Sequence, residues 1–304
     1  MHANTQQWRE HANYFTFEGH QIAYWTGGEG RPLLLVHGYP TASWDWVPVW
    51  EHLGTKYSLI ACDMLGFGLS DKPRNGLDGK RYSLMHQADI QLALLKHLGI
   101  ESYDALVHDY GVSVGQELLA RQNEGSAAHG LGKMVFLNGG IFPDHHRPRP
   151  IQKLGISPIG FVLGYMFSRE RFGKSFSEVF GPDKQPSKQE LDDFWELIRH
   201  NRGEKIQHKL LQYMVDRQTH KTRWREALLP NQHRIGLING ALDPVSGEHL
   251  YHQWRKVLPD AWHHLLPNVG HYPQVEAPDE VAVKALDWLA WTPGPTQAGS
   301  RRAV

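Results

Sequence analysis

Short, almost purely apolar runs recur along the chain between polar and glycine-rich breaks. They are "PLLLVHG" (32–38), "YSLIACD" (57–63), "DALVHD" (104–109), "KMVFLNGG" (133–140), "RIGLING" (234–240) and "WHHLLPN" (262–268). Runs this short and uniform predict strands buried on both faces, as in a mostly parallel sheet covered by helices. "YFTFEG" and "QIAYWTG" near the start predict an antiparallel hairpin. Between the runs the apolar period lengthens to helical spacing. Leu84, Ala88, Leu92, Leu95 and Leu98 recur along "SLMHQADIQLALLKHLG", with Ser83 as N-cap and Gly99 as stop. "PDEVAVKALDWLA" opens on Pro278, a residue suited to a first helical turn.

The alternation breaks once. From Ile141 to Pro230 no buried-strand run occurs, only helix-like patterns with many aromatics and several prolines. This predicts a helical cap (141–230) between the fourth and fifth parallel strands, lying over the strand ends where open α/β sheets take ligands. The core then comprises 1–140 and 231–291, and the Pro/Gly-rich 292–304 reads as a disordered tail. "SPIGFVLGYMFSR" (157–169) is too short to span a bilayer and is expected to be an oily part of the cap.

Charge and composition mainly exclude. The 32 basic and 32 acidic side chains cancel, which gives no reason to expect a nucleic-acid partner. The single cysteine, Cys62, cannot form an internal disulfide, and a reducing, cytoplasmic setting is expected. "MHANTQQWREHANYF" lacks an apolar signal core, and no run approaches a membrane span. The 20 histidines include His145-His146, His263-His264 and His249 with His252, but no cluster has a recognised metal spacing. No metal or other cofactor is expected, and oligomeric state is not legible.

Candidate chemistry concentrates in "ALVHDYGVSVGQELLAR" (105–121), which holds two nucleophile frames. Gly111–Gly115 reads as G-x-S-x-G around Ser113, and Val107–Gly111 centres a similar frame on Asp109. The elbow is a turn directly between strand and helix, and the apolar run ends at His108. Asp109 therefore falls on the turn, with Gly111 allowing close backbone approach. Ser113 falls one turn inside the helix, where its hydroxyl is expected to bond a backbone carbonyl. Tyr39, in "VHGYP", and Tyr110 would offer backbone N–H groups to an oxyanion. Asp243, in "GALDPV", and His271, in "NVGHYPQVEAP", follow later strands. The order nucleophile, acid, histidine is that of α/β-hydrolases.

"VHGYP", "DMLGFGLSDKP", "VHDYG", "LDP" and "GHYPQVEAP" resemble the epoxide hydrolase and haloalkane dehalogenase branch of the α/β-hydrolase superfamily, from about Tyr14 to Ala290. "HDYG", "NGGIFPDHHRP", "SEVFGP" and "LLQY" resemble, more narrowly, the mesoderm-specific transcript family. The resemblance implies an α/β-hydrolase fold. It also implies that Asp109 forms an alkyl ester and that His271, oriented by Asp243, activates the water that hydrolyses it.

The dehalogenase pattern would place Trp after the nucleophile and often Asn after His-Gly. This chain has Tyr110 and Tyr39 there, and the Arg of a fluoroacetate-type site is also missing after the nucleophile. An epoxide oxygen would take a proton from lid tyrosines. Tyr213 matches the second of these, thirty residues before Asp243. For the first, Tyr165 lies late, and His145 or His146 is the substitute. Trp44 and Trp46 are expected near the oxyanion loop, with Trp44 and Tyr165 lining a substrate pocket. "DMLGFGLSDKP" lacks the P-loop pattern and reads as a structural loop. The expected activity is cofactor-free hydrolysis of an apolar or moderately polar epoxide by water. Haloalkane dehalogenase, carboxylic ester or lactone hydrolase, and a hydrolase-fold receptor or scaffold are the alternatives.

Overall fold

The computed structural model describes residues 5–74, 80–145, 147 and 167–291. Tyr165, His146, most of 157–169 and the tail 292–304 lie outside the described residues. The strands are β1 (Asn13–Phe17), β2 (His20–Gly27), β3 (Arg31–Val36), β4 (Tyr57–Cys62), β5 (Ser102–His108), β6 (Gly130–Leu137), β7 (Ile235–Gly240) and β8 (Trp262–Leu266). They form one sheet in the order β1-β2-β4-β3-β5-β6-β7-β8. β1 and β2 are the expected hairpin, β2 pairs antiparallel with β4, and the remaining pairs are parallel. All six apolar runs fall on the parallel strands. The chain runs from β3 outward to β4, then crosses back to β5 on the other side of β3. A crevice at the carboxyl ends opens at such a switch point.

Register sets the site's floor. Val36 pairs with Val107, Val107 with Phe136, and Phe136 with Leu237, so β3, β5, β6 and β7 end at nearly the same level. Alternate residues serve two cores. Leu34, Val36, Ala105, Val107 and Phe136 face one cluster, while Leu33, Leu35, Leu106, Val135 and Leu137 face the other. With both faces covered, every position is apolar, which is why the strands read as unbroken runs. Each fully buried Leu or Val contributes about 1.5–3 kcal/mol.

The helices are α1 (Thr5–Glu10), α2 (Val47–Gly54), α3 (Leu84–His97), α4 (Tyr110–Asn123), α5 (Arg169–Ser177), α6 (Lys188–Arg199), α7 (Gln207–Leu210), α8 (Tyr213–Leu228), α9 (Glu248–Val257), α10 (Pro273–Glu276) and α11 (Pro278–Ala290). Ser83 caps α3 through His86 N at 3.2 Å, and Gly99 after it takes φ +69°. α3, α4, α8 and α9 cover the first core, and α2 and α11 the second. In "DMLGFGLSDKP", Asp63 accepts from Ser43 N (2.8 Å) and Leu69 N (2.6 Å), while Lys72 Nζ donates to the Phe67, Gly68 and Ser70 carbonyls.

Between β6 and β7 every element among the described residues is helical. Buried polar contacts fasten α8 of this segment to the sheet's helices. Asp216 Oδ2 accepts from Leu84 N at 2.8 Å, and the wholly buried Glu117 accepts from Trp224 Nε1 at 2.9 Å. α5 and α6 contribute Phe172, Phe176 and Phe194 to an aromatic cluster with Trp8, Trp25, Trp44 and Tyr272. Trp44, expected in a pocket wall, sits edge-on to Trp8 at 6.1 Å in this cluster. Trp46 is wholly buried in the second core, because the short helical turn that carries both tryptophans points them to different layers. Among the described residues no helix is long and apolar enough to cross a membrane.

Candidate active site

Asp109 stands between β5 and α4 at φ +44°, ψ −101°, a backbone state that costs a non-glycine residue of order 1–3 kcal/mol. The turn is held by Asp109 N donating to Asn138 O (2.8 Å) and Gly111 N to His37 O (3.0 Å). The two glycines of the apparent serine frame serve this aspartate turn. A Cβ at Gly111 would lie 2.4 Å from Val36 O, and one at Gly115 3.0 Å from the Val107 side chain. The Ser113 hydroxyl does not take a carbonyl as expected. It is wholly buried and accepts from Arg217 Nε at 2.8 Å, because a buried guanidinium demands acceptors and the hydroxyl lies within its reach.

Three strand ends converge on Asp109. Tyr39 N, after β3, donates to its Oδ2 at 3.0 Å. His271 Nε2, after β8, lies 3.8 Å from its Oδ1. His271 Nδ1 meets Asp243 Oδ2 at 2.7 Å. That oxygen also accepts from Ser246 Oγ (2.5 Å) and Asn138 Nδ2 (2.9 Å), and Asp243 Oδ1 accepts from Val245 N (2.7 Å). Tyr110 is the first residue of α4, so its N–H is one of the helix-end donors without an intrahelical partner.

The electrostatics follow from these contacts. Burial alone would raise both carboxyls, but His271 outweighs it and holds Asp109 and Asp243 well below the usual carboxylate range. Burial alone would likewise lower His271. The two carboxylates, Asp243 foremost, win and push it up to about 10. The resting site therefore pairs an imidazolium with two carboxylates, and it can present an ionised oxygen nucleophile and a proton acceptor once one carboxylate loses its charge.

Tyr213, at the start of α8, is buried with its ring 5.9 Å from that of Tyr39 and 5.3 Å from that of Tyr110. His145, the substitute donor, is exposed.

Sequence reading missed four residues here. Arg217, one turn after Tyr213, is 2% exposed, and its Nη2 donates to Asp109 O at 2.8 Å. Asn138 links the Asp109 backbone to Asp243, and it follows β6 just as the other site residues follow their strands. That rule would have found it. His108 Nε2 lies 2.8 Å from the His271 carbonyl. Glu276 clamps the His271 loop, its carboxylate accepting from Gly270 N (2.7 Å), Tyr272 N (2.9 Å) and Gly181 N (2.8 Å). His271 N in turn donates to Val179 O at 2.8 Å.

Known proteins resemble this chain in sequence or in fold. A mesoderm-specific transcript homolog protein of Bos taurus is 41% identical over 286 residues, 89% of this chain and 83% of that one. LipZ of Mycobacterium tuberculosis is 37% identical over 287 residues, 94% of this chain and 98% of that one. A cis-3-alkyl-4-alkyloxetan-2-one decarboxylase of Shewanella oneidensis is 28% identical over 295 residues, 92% and 88% of the two chains. Solved structures of the epoxide hydrolase CorEH (TM-score 0.74, 18% identity, 92% of this chain and 98% of that one) and of a loop variant of the haloalkane dehalogenase DbeA from Bradyrhizobium elkanii (0.76, 20%, 92% and 96%) share the fold. The model of the alpha/beta hydrolase family matches residues 33–285, which takes in the parallel strands from β3 to β8 and each of Asp109, Asp243 and His271, and the chain belongs to that family.

Proposed function

We propose that this protein is a hydrolase in which Asp109 attacks a saturated carbon to form an alkyl-enzyme ester, and that its substrate is an apolar epoxide opened to a vicinal diol. The observation that carries the reading is that Asp109 occupies the strained elbow while Ser113 is buried against Arg217. Asp109 Oδ1, within 3.8 Å of His271 Nε2, is the attacking atom. As its lone pair forms the new C–O bond, the ring C–O bond breaks and its electron pair passes to the ring oxygen, which takes the Tyr213 hydroxyl proton.

Esterification removes the Asp109 charge, one of the two that hold the His271 proton. The imidazolium releases that proton through solvent to the Tyr213 phenolate, and neutral His271 takes one from water as the water attacks Asp109 Cγ; on collapse the Cγ–Oδ1 bond breaks, the departing diol oxygen takes that proton from His271, and the new Asp109 carboxyl returns its own to the ring. The oxyanion forms at Oδ2, where the Tyr39 N–H already lies at 3.0 Å, with the Tyr110 N–H as second donor. Tyr39 and Tyr110, in place of halide-binding side chains, favour an oxygen leaving group. A strained lactone is the second reading, carried by the 28% identical relative named for oxetan-2-one decarboxylation. A scaffold without turnover would have no use for a strained aspartate elbow facing a charged histidine.

A panel of epoxides, haloalkanes, lactones and p-nitrophenyl esters, run on wild type and Asp109→Ala, tests the reading. Diol release that Asp109→Ala abolishes is expected. Halide release without epoxide turnover, or activity surviving in Asp109→Ala, refutes it.

A further inference from the structure

Arg217 is a buried cation with an unfinished set of partners. Its Nε donates to Ser113 Oγ and its Nη2 to Asp109 O, both at 2.8 Å. The guanidinium lies over the Tyr213 ring at 4.4 Å from its centroid. Nη1 is buried and has no hydrogen-bond partner among the described residues. Gly140 leaves it room, for a Cβ there would come within 2.7 Å of Nη1. The nearest counter-charge is Asp109 Oδ1, 3.7 Å from Nη2. A charged donor left unpaired in a buried site is costly unless a polar partner completes it.

We propose that Arg217 is a catalytic residue that binds the departing oxygen of a strained-ring substrate, receiving the negative charge that leaves Asp109. The inference rests on the aspartate-ester mechanism above. When Oδ1 bonds to carbon, Asp109 becomes neutral and Arg217 loses its counter-ion. At the same moment the broken ring bond delivers an electron pair to the ring oxygen. A fixed cation beside both atoms stabilises the charge as it moves, which is stronger binding of the transition state than of the ground state. An epoxide oxygen leaves as an alkoxide and takes the Tyr213 proton. The ring oxygen of an oxetan-2-one leaves as a carboxylate and needs none. Arg217 keeps its own protons throughout.

Arg217 also props the elbow through Ser113 and Asp109 O, so the test must separate the two roles. Ester formation is measured by rapid quench and intact mass in a His271→Gln background, where the adduct persists. The substrates are 1,2-epoxyoctane and a cis-3,4-dialkyl oxetan-2-one. Arg217→Met is expected to slow adduct formation about 10²–10³-fold on the epoxide, the usual loss on removing one oxyanion donor, and about tenfold or less on the oxetanone, whose leaving group is a weak base. Arg217→Lys, which keeps the charge and the support of the fold, is expected to restore part of the epoxide rate. An equal loss on both substrates assigns Arg217 to elbow support alone, and an unchanged rate removes it from the chemistry; either overturns the proposal while the aspartate ester stands. Absence of any adduct on either substrate in the His271→Gln parent sinks the ester mechanism, and this proposal with it.

Discussion

Two polar layers lie one above the other at the end of the sheet, and they ionise in opposite senses. The upper layer holds Asp109, Asp243, His271 and Arg217. The layer beneath holds His37, Asp45 and His108. All seven side chains are buried. His271 and His108 touch, with ring centroids 5.2 Å apart, yet His271 is pushed up to about 10 and His108 down to about 3. Burial lowers both. The difference is in partners: His271 bridges two carboxylates, whereas His108 faces the His271 carbonyl and the positive ring above it. Burial pushes the carboxyl of Asp45, 3.9 Å from His108 Nδ1, well above the usual carboxylate range. Partners thus favour the charged forms in the layer that holds Asp109 and His271, and burial favours the neutral forms in the layer beneath it.

The comparison is broken most forcefully at His271. His271→Gln is expected to lower steady-state turnover about 10⁴-fold or more, while Asp109 still attacks. The protein should gain the mass of one substrate. A variant that loses turnover without gaining mass would remove His271 from the second half-reaction.

A smaller effect is expected at the α8 side of the upper layer. Tyr213→Phe removes one hydroxyl and keeps the packing against Tyr39 and Tyr110. With Arg217 still present, epoxide turnover should fall roughly 10- to 10³-fold, the range of general acid assistance at its lower end. An unchanged epoxide rate would take Tyr213 out of the mechanism and leave Asp109 in it.

The finest test uses stability against pH. His271 has its folded pKa, about 10, above the unfolded value near 6.5, so its contribution is full below pH 6.5 and is lost as pH rises toward 10. His108 is the reverse. Its folded pKa of about 3 means that the unfolded chain takes the proton more readily, so stability falls as pH drops from 6.5 toward 3. Calorimetric Tm profiles should show His271→Gln flattening the alkaline limb between pH 7.5 and 9.5, and His108→Asn flattening the acid limb between pH 6.5 and 4.5. Both limbs unchanged in both variants would mean that the two rings titrate alike.

Most of the sheet, and the places of Asp109, Asp243 and His271 at its edge, were legible because they rest on short-range rules. Burial on both faces makes a parallel strand an unbroken apolar run, and a residue just past such a run stands at the carboxyl edge. Asp109, Asp243 and His271 were found that way. Arg217 follows no such rule. It comes from a helix with little amphipathic pattern and meets Asp109 across 108 residues of chain, a contact made only when α8 settles on α4. Trp44 and Trp46 share a motif but part at one helical turn, and no periodicity tells which layer each will enter. Glu276 lies within "GHYPQVEAP", yet its three N–H partners come partly from residue 181, which sequence places 95 positions away.

That last clamp bears on how such a protein can diversify. Val179 O and Gly181 N are backbone atoms, and they fasten the segment between β6 and β7 to the loop that carries His271. Any side chain at 181 or 270 would run into backbone, at 2.7 Å from Asn268 O or 2.3 Å from Val179 O. Exchanging that segment for a relative's, the simplest route to a new specificity, therefore also exchanges half of the histidine's mounting. A transplant that keeps residues 178–182 of this chain preserves the seat of His271, and one that replaces them must bring its own matching loop.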